Sequence, residues 1–182
     1  FVYYPLLIHL FAKRITVKQF LKGIRQAQIT AFSTSSSMAT LPVTMECVND
    51  NLKVSKPISS FVLPIGATVN MDGTSTYQAV AVVAMAQFHM IDLDFTQQMV
   101  IVLTATLASI GAAAVPSAGL VLMIVVLESV GLNPAWIAII LPVDRILDMC
   151  RTVVNVTGDA TVASIIQSSE NIEDENLNQD TI

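Results

Sequence analysis

Apolar positions gather in separate stretches, and each stretch is interrupted in a different way. Residues 1–12 are apolar but too short to span a bilayer, and they read as the cytoplasmic end of a membrane helix that begins upstream. Residues 15–26 predict a short basic amphipathic helix on which Ile15, Phe20, Leu21 and Ile24 can share a face. The run Ser33-Thr34-Ser35-Ser36-Ser37, followed by Ala39-Thr40-Leu41-Pro42, is too polar and too interrupted for an ordinary span. The block 58–91 carries Asn70-Met71-Asp72-Gly73-Thr74 at its centre, which predicts a helix broken there, against protein or a cavity rather than lipid.

The third block has no charged residue from Phe95 through Leu127. A straight helix over Met99–Leu127 would be about 43 Å long, against a hydrocarbon core of about 30 Å. Tilt alone would have to reach about 45°, beyond the usual range. Gly111 to Gly119 is rich in small residues and contains Pro116. Two half-length helices folded back at this loop fit better than one span, with a kinked single helix as the alternative.

The block 134–166 reads as a span loaded with polar groups. At 100° per residue, Asp144, Asp148, Arg151, Asn155 and Asp159 fall at about 0°, 40°, −20°, 20° and 60°, one narrow stripe. Ile146, Val153 and Val162 lie opposite. The tail after Ser169 is acidic and poor in large apolar residues, and is expected to be disordered.

Composition agrees with a bilayer setting. The chain is 53% hydrophobic and 13% charged over 182 residues, about half the charged share of a soluble domain; mean hydropathy is +0.65. Lys13, Arg14, Lys18, Lys22 and Arg25 form one basic cluster and Lys53 with Lys56 a second, which places both stretches in the cytoplasm. The net charge of −5 resides mostly in the tail and argues against nucleic acid as a partner. Cys47 and Cys150 have no metal or redox spacing and read as buried free thiols; His9 and His89 read as interfacial. No catalytic constellation is evident. Asn155-Val156-Thr157 is a glycosylation sequon inside a span. Asp72 with Asp159 lacks the surroundings of an aspartyl protease pair.

The stripe is the strongest signal. Asp148, Arg151 and Asp159 facing lipid would together cost roughly 8–10 kcal/mol, comparable with the net stability of a whole domain. They must face protein, water or ligand. An Asp148–Arg151 pair at i,i+3 would satisfy two charges but leaves Asp159 and Asp72. No Lys or Arg lies in the second and third blocks to neutralise them. Acids without cationic side chains suit a small hard cation. Arg151 offers a fork for a carboxylate and Asp148 an acceptor for an ammonium. Ser35–Ser37 and half-helix N-termini can hold a second carboxylate. A ligand with two carboxylates and one ammonium, aspartate or glutamate, uses all three.

Four segments carry a resemblance: Ser35–Pro42, Gly66–Thr74, Ala108–Pro116 and Asp148–Asp159. In this order the chain resembles the dicarboxylate/amino acid:cation symporter family over nearly all its length except the tail. The resemblance implies an all-α membrane protein. Its transport domain would hold two re-entrant helical hairpins and broken or polar transmembrane helices. Residues 1–26 would be a helix end and basic linker. Residues 27–167 would be the transport core, with a hairpin at 27–50, a broken helix at 57–91, a gating hairpin at 97–132 and a final span at 134–167. Residues 168–182 would be the tail.

Carried over by position, the substrate contacts fall on Ser36, Thr74, Val115, Gly119, Asp148, Arg151, Thr152 and Asn155. One sodium site would use the Asp159 carboxylate with carbonyls of Gly66, Asn70 and Asn155. A gate-side site would use carbonyls of Thr68, Ser109, Ile110 and Ala112. A third would use the side chains of Asn70 and Asp72. The resemblance also implies sodium-coupled uptake of L-aspartate or L-glutamate by an elevator motion. The setting would be a homotrimer in the lipid bilayer of the cell inner (plasma) membrane, expected to be bacterial, with the C-terminus cytoplasmic. A C4-dicarboxylate carrier, a neutral amino acid carrier and a ligand-gated channel are the alternatives. Departures from relatives lie at Thr34 and Met149, where some members carry an Arg, at Gln78, where mammalian members carry an acid tied to proton coupling, and at Ala114 and Ser117.

Overall fold

The computed structural model describes residues 2–12 and 14–179, with side chains described through residue 170. Among these residues there are helices and no strands. Nine α-helices run in the order α1 (Tyr3–Phe11), α2 (Val17–Gly23), α3 (Arg25–Thr34), α4 (Ser37–Glu46), α5 (Lys56–Val69), α6 (Asp72–Phe88), α7 (Phe95–Ile110), α8 (Ala118–Ser129) and α9 (Leu141–Gln179). A π-turn, Cys47–Asn51, continues α4, and a 3-10 segment, Pro134–Ile139, precedes α9.

Local chemistry sets the helix ends. Thr16 and Gln19 form a reciprocal capping box at α2, and Asp94 with Gln97 does the same at α7. Ser36 caps α4 by accepting from the Ala39 N–H at 3.1 Å. The basic stretch 15–26 is one helix in expectation, but the chain turns at Ile24 and divides it between α2 and α3. Phe20 and Ile24 are fully buried, whereas Leu21 faces outward.

The breaks fall at the polar segments. α3 ends at Ser35, a non-glycine residue in the left-handed region at φ 52°. Pro42 lies inside α4 rather than at the break. α5 and α6 are separated at Asn70 and Met71. α7 and α8 are separated by residues 111–117, which also end at a left-handed residue, Ser117, at φ 61°. The apolar helices are consequently short. At 16 residues, α7 is about 24 Å long. α9 is longer but carries the polar stripe. Among the described residues no single helix is long and apolar enough to cross a membrane. The expected tail, 168–182, begins within α9; its side chains from 171 onward, and residues 180–182 altogether, lie outside the described residues.

α9 packs against α1, α3, α5 and α6, while α6, α7 and α8 pack on one another. One apolar core joins α1, α2, the π-turn, α5 and α9 around Ile8, Phe20, Val48, Leu63 and Ala163. A second joins α6, α7 and α8 around Val82, Met85, Ile101, Met123 and Leu127. Buried polar residues of α9 lie with these cores, whereas Phe61, Phe88, Phe95, Leu103, Leu107, Val121 and Ile146 are exposed. Buried polar groups beside the apolar cores, with many large apolar side chains exposed, depart from the usual soluble pattern.

Candidate functional site

The stripe on α9 is buried as its spacing predicts. Asp144, Asp148, Arg151, Asn155 and Asp159 are each between 2% and 5% exposed. On the opposite face Ile146 and Val162 are exposed. The i,i+3 pair forms: Arg151 Nε donates to Asp148 Oδ1 at 2.7 Å. Yet Arg151 Nη1 is buried without a hydrogen-bond partner. The guanidinium also stacks over Tyr77, with Cζ 4.8 Å from the ring centroid. Tyr77 is in turn held by Asp144, whose Oδ1 accepts its hydroxyl at 2.8 Å.

Arg151 borders a cleft lined by Ser35, Ser37, Met71, Thr74, residues 112–115, Gly119, Asp148, Thr152 and Asn155. Three helix starts meet there: Ser37 opens α4, α6 begins at Asp72, and Ala118 opens α8. Helix N-termini present unpaired N–H groups and a positive dipole end, which favour anions. Two glycines permit the close approach. A Cβ on Gly119 would lie 2.6 Å from Arg151 Nη1 and 2.8 Å from Thr74 Cγ2. A Cβ on Gly73 would collide with the Arg151 carbonyl.

The cleft is narrow. Its free volume is about 20 Å³, room for about one water and not for an amino acid. Two contacts across the tips hold it shut. Ser36 Oγ donates to the Ala114 carbonyl at 2.6 Å, and the Ser117 N–H donates to Asp148 Oδ2 at 2.8 Å. The loop between α7 and α8 therefore occupies one oxygen of Asp148.

The other expected substrate contacts fall around this cleft. Thr152 is buried, with its hydroxyl on the Asp148 carbonyl at 2.9 Å. Asn155 accepts from the Gly73 N–H at 2.8 Å and donates to Thr74 Oγ1 at 3.3 Å, which ties α9 to the first turn of α6. Val115 lines the cleft although more than half exposed. Gln78, fully buried on α6, donates to the Gly119 carbonyl at 2.8 Å and so fixes the start of α8.

A second polar cluster lies along α9, next to α5. Asp159 Oδ1 accepts from Asn70 Nδ2 at 2.9 Å. A Cβ on Gly66 would lie 2.5 Å from that same carboxylate oxygen, so the glycine lets the acid rest against the α5 backbone. A cavity of about 230 Å³ opens there, lined by Gly66, Asn70 and Asp159 among apolar neighbours. The Asp159 carboxylate, the Asn70 amide and the carbonyls at the end of α5 are oxygen donors of the kind a hard cation takes, although the cavity wall itself is almost wholly apolar. Asp72 departs from expectation, because it is exposed rather than buried; its Oδ2 accepts from Tyr4 at 2.8 Å.

Of the gate-side set, Ser109 and Ala112 are buried, Thr68 is half-buried and Ile110 is exposed. They lie at the ends of α5 and α7, helices that touch. The Ser109 carbonyl accepts from the Ala112 N–H at 3.1 Å.

Sequence reasoning missed Tyr4 and Tyr77, whose roles depend on partners more than 60 positions away. An aromatic residue in an apolar run gives no sign of its hydrogen bond. The expectation of two buried thiols needs correction: Cys47 is buried, but Cys150 is exposed on the α9 face turned from the cleft. His89 stacks on Trp136, with ring centroids 3.6 Å apart.

Half-length helices thus meet at polar breaks around a buried arginine and buried carboxylates. Residues 1–169 match the sodium:dicarboxylate symporter family, and the chain belongs to it. An excitatory amino acid transporter of Caenorhabditis elegans is 53% identical over 147 residues, 81% of this chain and 29% of that protein. Excitatory amino acid transporter 1 of Ambystoma tigrinum is 53% identical over 148 residues, 81% of this chain and 27% of that protein. Human excitatory amino acid transporter 5 is 50% identical over 162 residues, 89% of this chain and 29% of that protein. The chain thus spans less than a third of the length of these relatives. They are animal proteins and lend no support to the bacterial membrane expected above.

Proposed function

We propose that this chain is the substrate-binding core of a symporter that carries L-aspartate or L-glutamate across the plasma membrane with sodium. The observation that carries the reading is Arg151: a buried guanidinium with one unpartnered NH2 group, beside a cleft where three helix N-termini meet. Arg151 would take the side-chain carboxylate bidentately. The starts of α4 and α8, with Ser36, would take the α-carboxylate. Asp148 Oδ2, once released by the Ser117 N–H, would accept from the ammonium. Thr74, Thr152 and Asn155 would orient the backbone of the substrate, and Val115 and Gly119 would cover it.

Sodium would bind at Asp159 with carbonyls of Gly66, Asn70 and Asn155, at Asn70 with Asp72, and at the carbonyls of Thr68, Ser109, Ile110 and Ala112. Each site borders a break, so ion binding would rigidify the bend that presents Thr74 and the loop that closes the cleft. In this reading α3 with α4, and α7 with α8, are the re-entrant hairpins. The exposed apolar side chains would meet lipid and the segments that relatives carry beyond this chain. Those segments would supply a trimeric scaffold against which the core moves as an elevator, with the C-terminus cytoplasmic. A C4-dicarboxylate has no ammonium to use Asp148, and a neutral amino acid leaves Arg151 Nη1 without a partner. Both alternatives fit less well.

The test is uptake of labelled aspartate into liposomes holding the complete transporter, under an imposed inward sodium gradient. Concentrative, sodium-dependent uptake is expected. Uptake indifferent to sodium, or outcompeted by succinate, would contradict the assignment.

A further inference from the structure

Tyr4 stands on α1, outside the motifs that carry the family resemblance, yet its side chain reaches the bend between α5 and α6. It is 8% exposed, and its hydroxyl donates to Asp72 Oδ2 at 2.8 Å. Asp72 is otherwise open to its surroundings at the first position of α6. The floor under this contact is Gly158 of α9. A Cβ there would lie 2.7 Å from Tyr4 Oη and 2.6 Å from Asn70 Nδ2. A residue without a side chain is therefore what lets the phenol and the Asn70 amide come down on α9 together. Asn70 Nδ2 in turn donates to Asp159 Oδ1 at 2.9 Å. Tyr4, Asp72, Asn70 and Asp159 thus form one oxygen-rich group, in which Tyr4 and Asn70 each hold one carboxylate in place.

We propose that Tyr4 is a positioning residue for the cation site at the bend. Its hydroxyl ties up one oxygen of Asp72 and so restricts the rotamers open to that carboxylate. This inference rests on the sodium reading above and adds to it an anchor on α1. An exposed carboxylate without that anchor would sample several rotamers, and each ion bound would have to order it afresh. A hydrogen bond that only satisfied the phenol would have no such effect on the ion.

The test uses the complete transporter in detergent, with Tyr4→Phe, Asp72→Asn and the double variant. The readout is the sodium concentration giving half-maximal thermal stabilisation, alongside aspartate affinity at saturating sodium. Tyr4→Phe is expected to raise the sodium midpoint about tenfold, equivalent to about 1.4 kcal/mol, while aspartate affinity at saturating sodium stays the same. The double variant should be no worse than Asp72→Asn alone, because Tyr4 acts through Asp72. A Tyr4→Phe protein with lowered Tm but an unchanged sodium midpoint would overturn the inference, as would additive effects in the double variant. Absence of sodium stabilisation in the unsubstituted protein would instead overturn the sodium reading itself.

Discussion

Arg151 and Asp148 lie one turn apart on α9 and are joined through Nε and Oδ1 at 2.7 Å, an arrangement that occupies one edge of the guanidinium and leaves Nη1 bare. Burying a charged fork half-satisfied is costly unless something completes it. The pair is therefore an internal salt bridge that leaves one guanidinium nitrogen for a further acceptor, which in the proposed function is a carboxylate of the ligand.

Replacing the fork tests this directly. Arg151→Cys should weaken aspartate binding by at least about 30-fold, since truncating one partner of a buried charge pair costs about 2–5 kcal/mol. Serine or alanine should then compete better than aspartate. Competition assays on the complete transporter would show it.

The two glycines that face Arg151 make a steric prediction. A methyl on Gly73 meets the Arg151 carbonyl, which belongs to the backbone and cannot swing away. Gly73→Ala should lower stability by about 1–3 kcal/mol, read as a fall in Tm with or without ligand. Gly119→Ala meets the movable guanidinium instead. It should reduce aspartate affinity more than it reduces Tm.

Gln78 donates its amide hydrogen to the Gly119 carbonyl. A glutamate at this position can make that bond only when protonated, because a carboxylate would set oxygen against oxygen. Gln78→Glu should therefore make aspartate binding weaken as pH rises, whereas the parent stays flat. Affinity measured across a pH series separates the two.

Asp159 is the buried acid of the second cluster, held by Asn70 across from Gly66. Asp159→Asn keeps the shape but removes the charge. It should raise the sodium concentration needed for half-maximal aspartate binding by about tenfold or more, given that hydrogen-bonded and ionic contacts to a buried charge are worth about 1.5–3 kcal/mol.

The sequence showed most where misplacement would be most expensive. Five polar residues at helical spacing in an apolar block could face only inward, and all five are buried. The breaks at Ser35, Asn70–Met71 and 111–117 were legible because serine runs and small residues beside a proline disfavour continuous helix. Proline by itself was a poorer guide, since Pro42 and Pro64 both sit within helices. What stayed hidden were contacts set by tertiary packing. Tyr4 and Tyr77 find acids on distant helices. The closing contacts of Ser117 and Ala114 use backbone atoms that no residue type advertises. Asp72 lies in a motif whose neighbours are buried, yet its own side chain points out toward Tyr4.

The account is tested most directly by calorimetric titration of aspartate into the complete transporter, once in sodium chloride and once in choline chloride. Saturable heat in sodium and none in choline is the result expected if carboxylates at the breaks must take up the cation before the cleft can hold the amino diacid. Equal binding in both salts would contradict it.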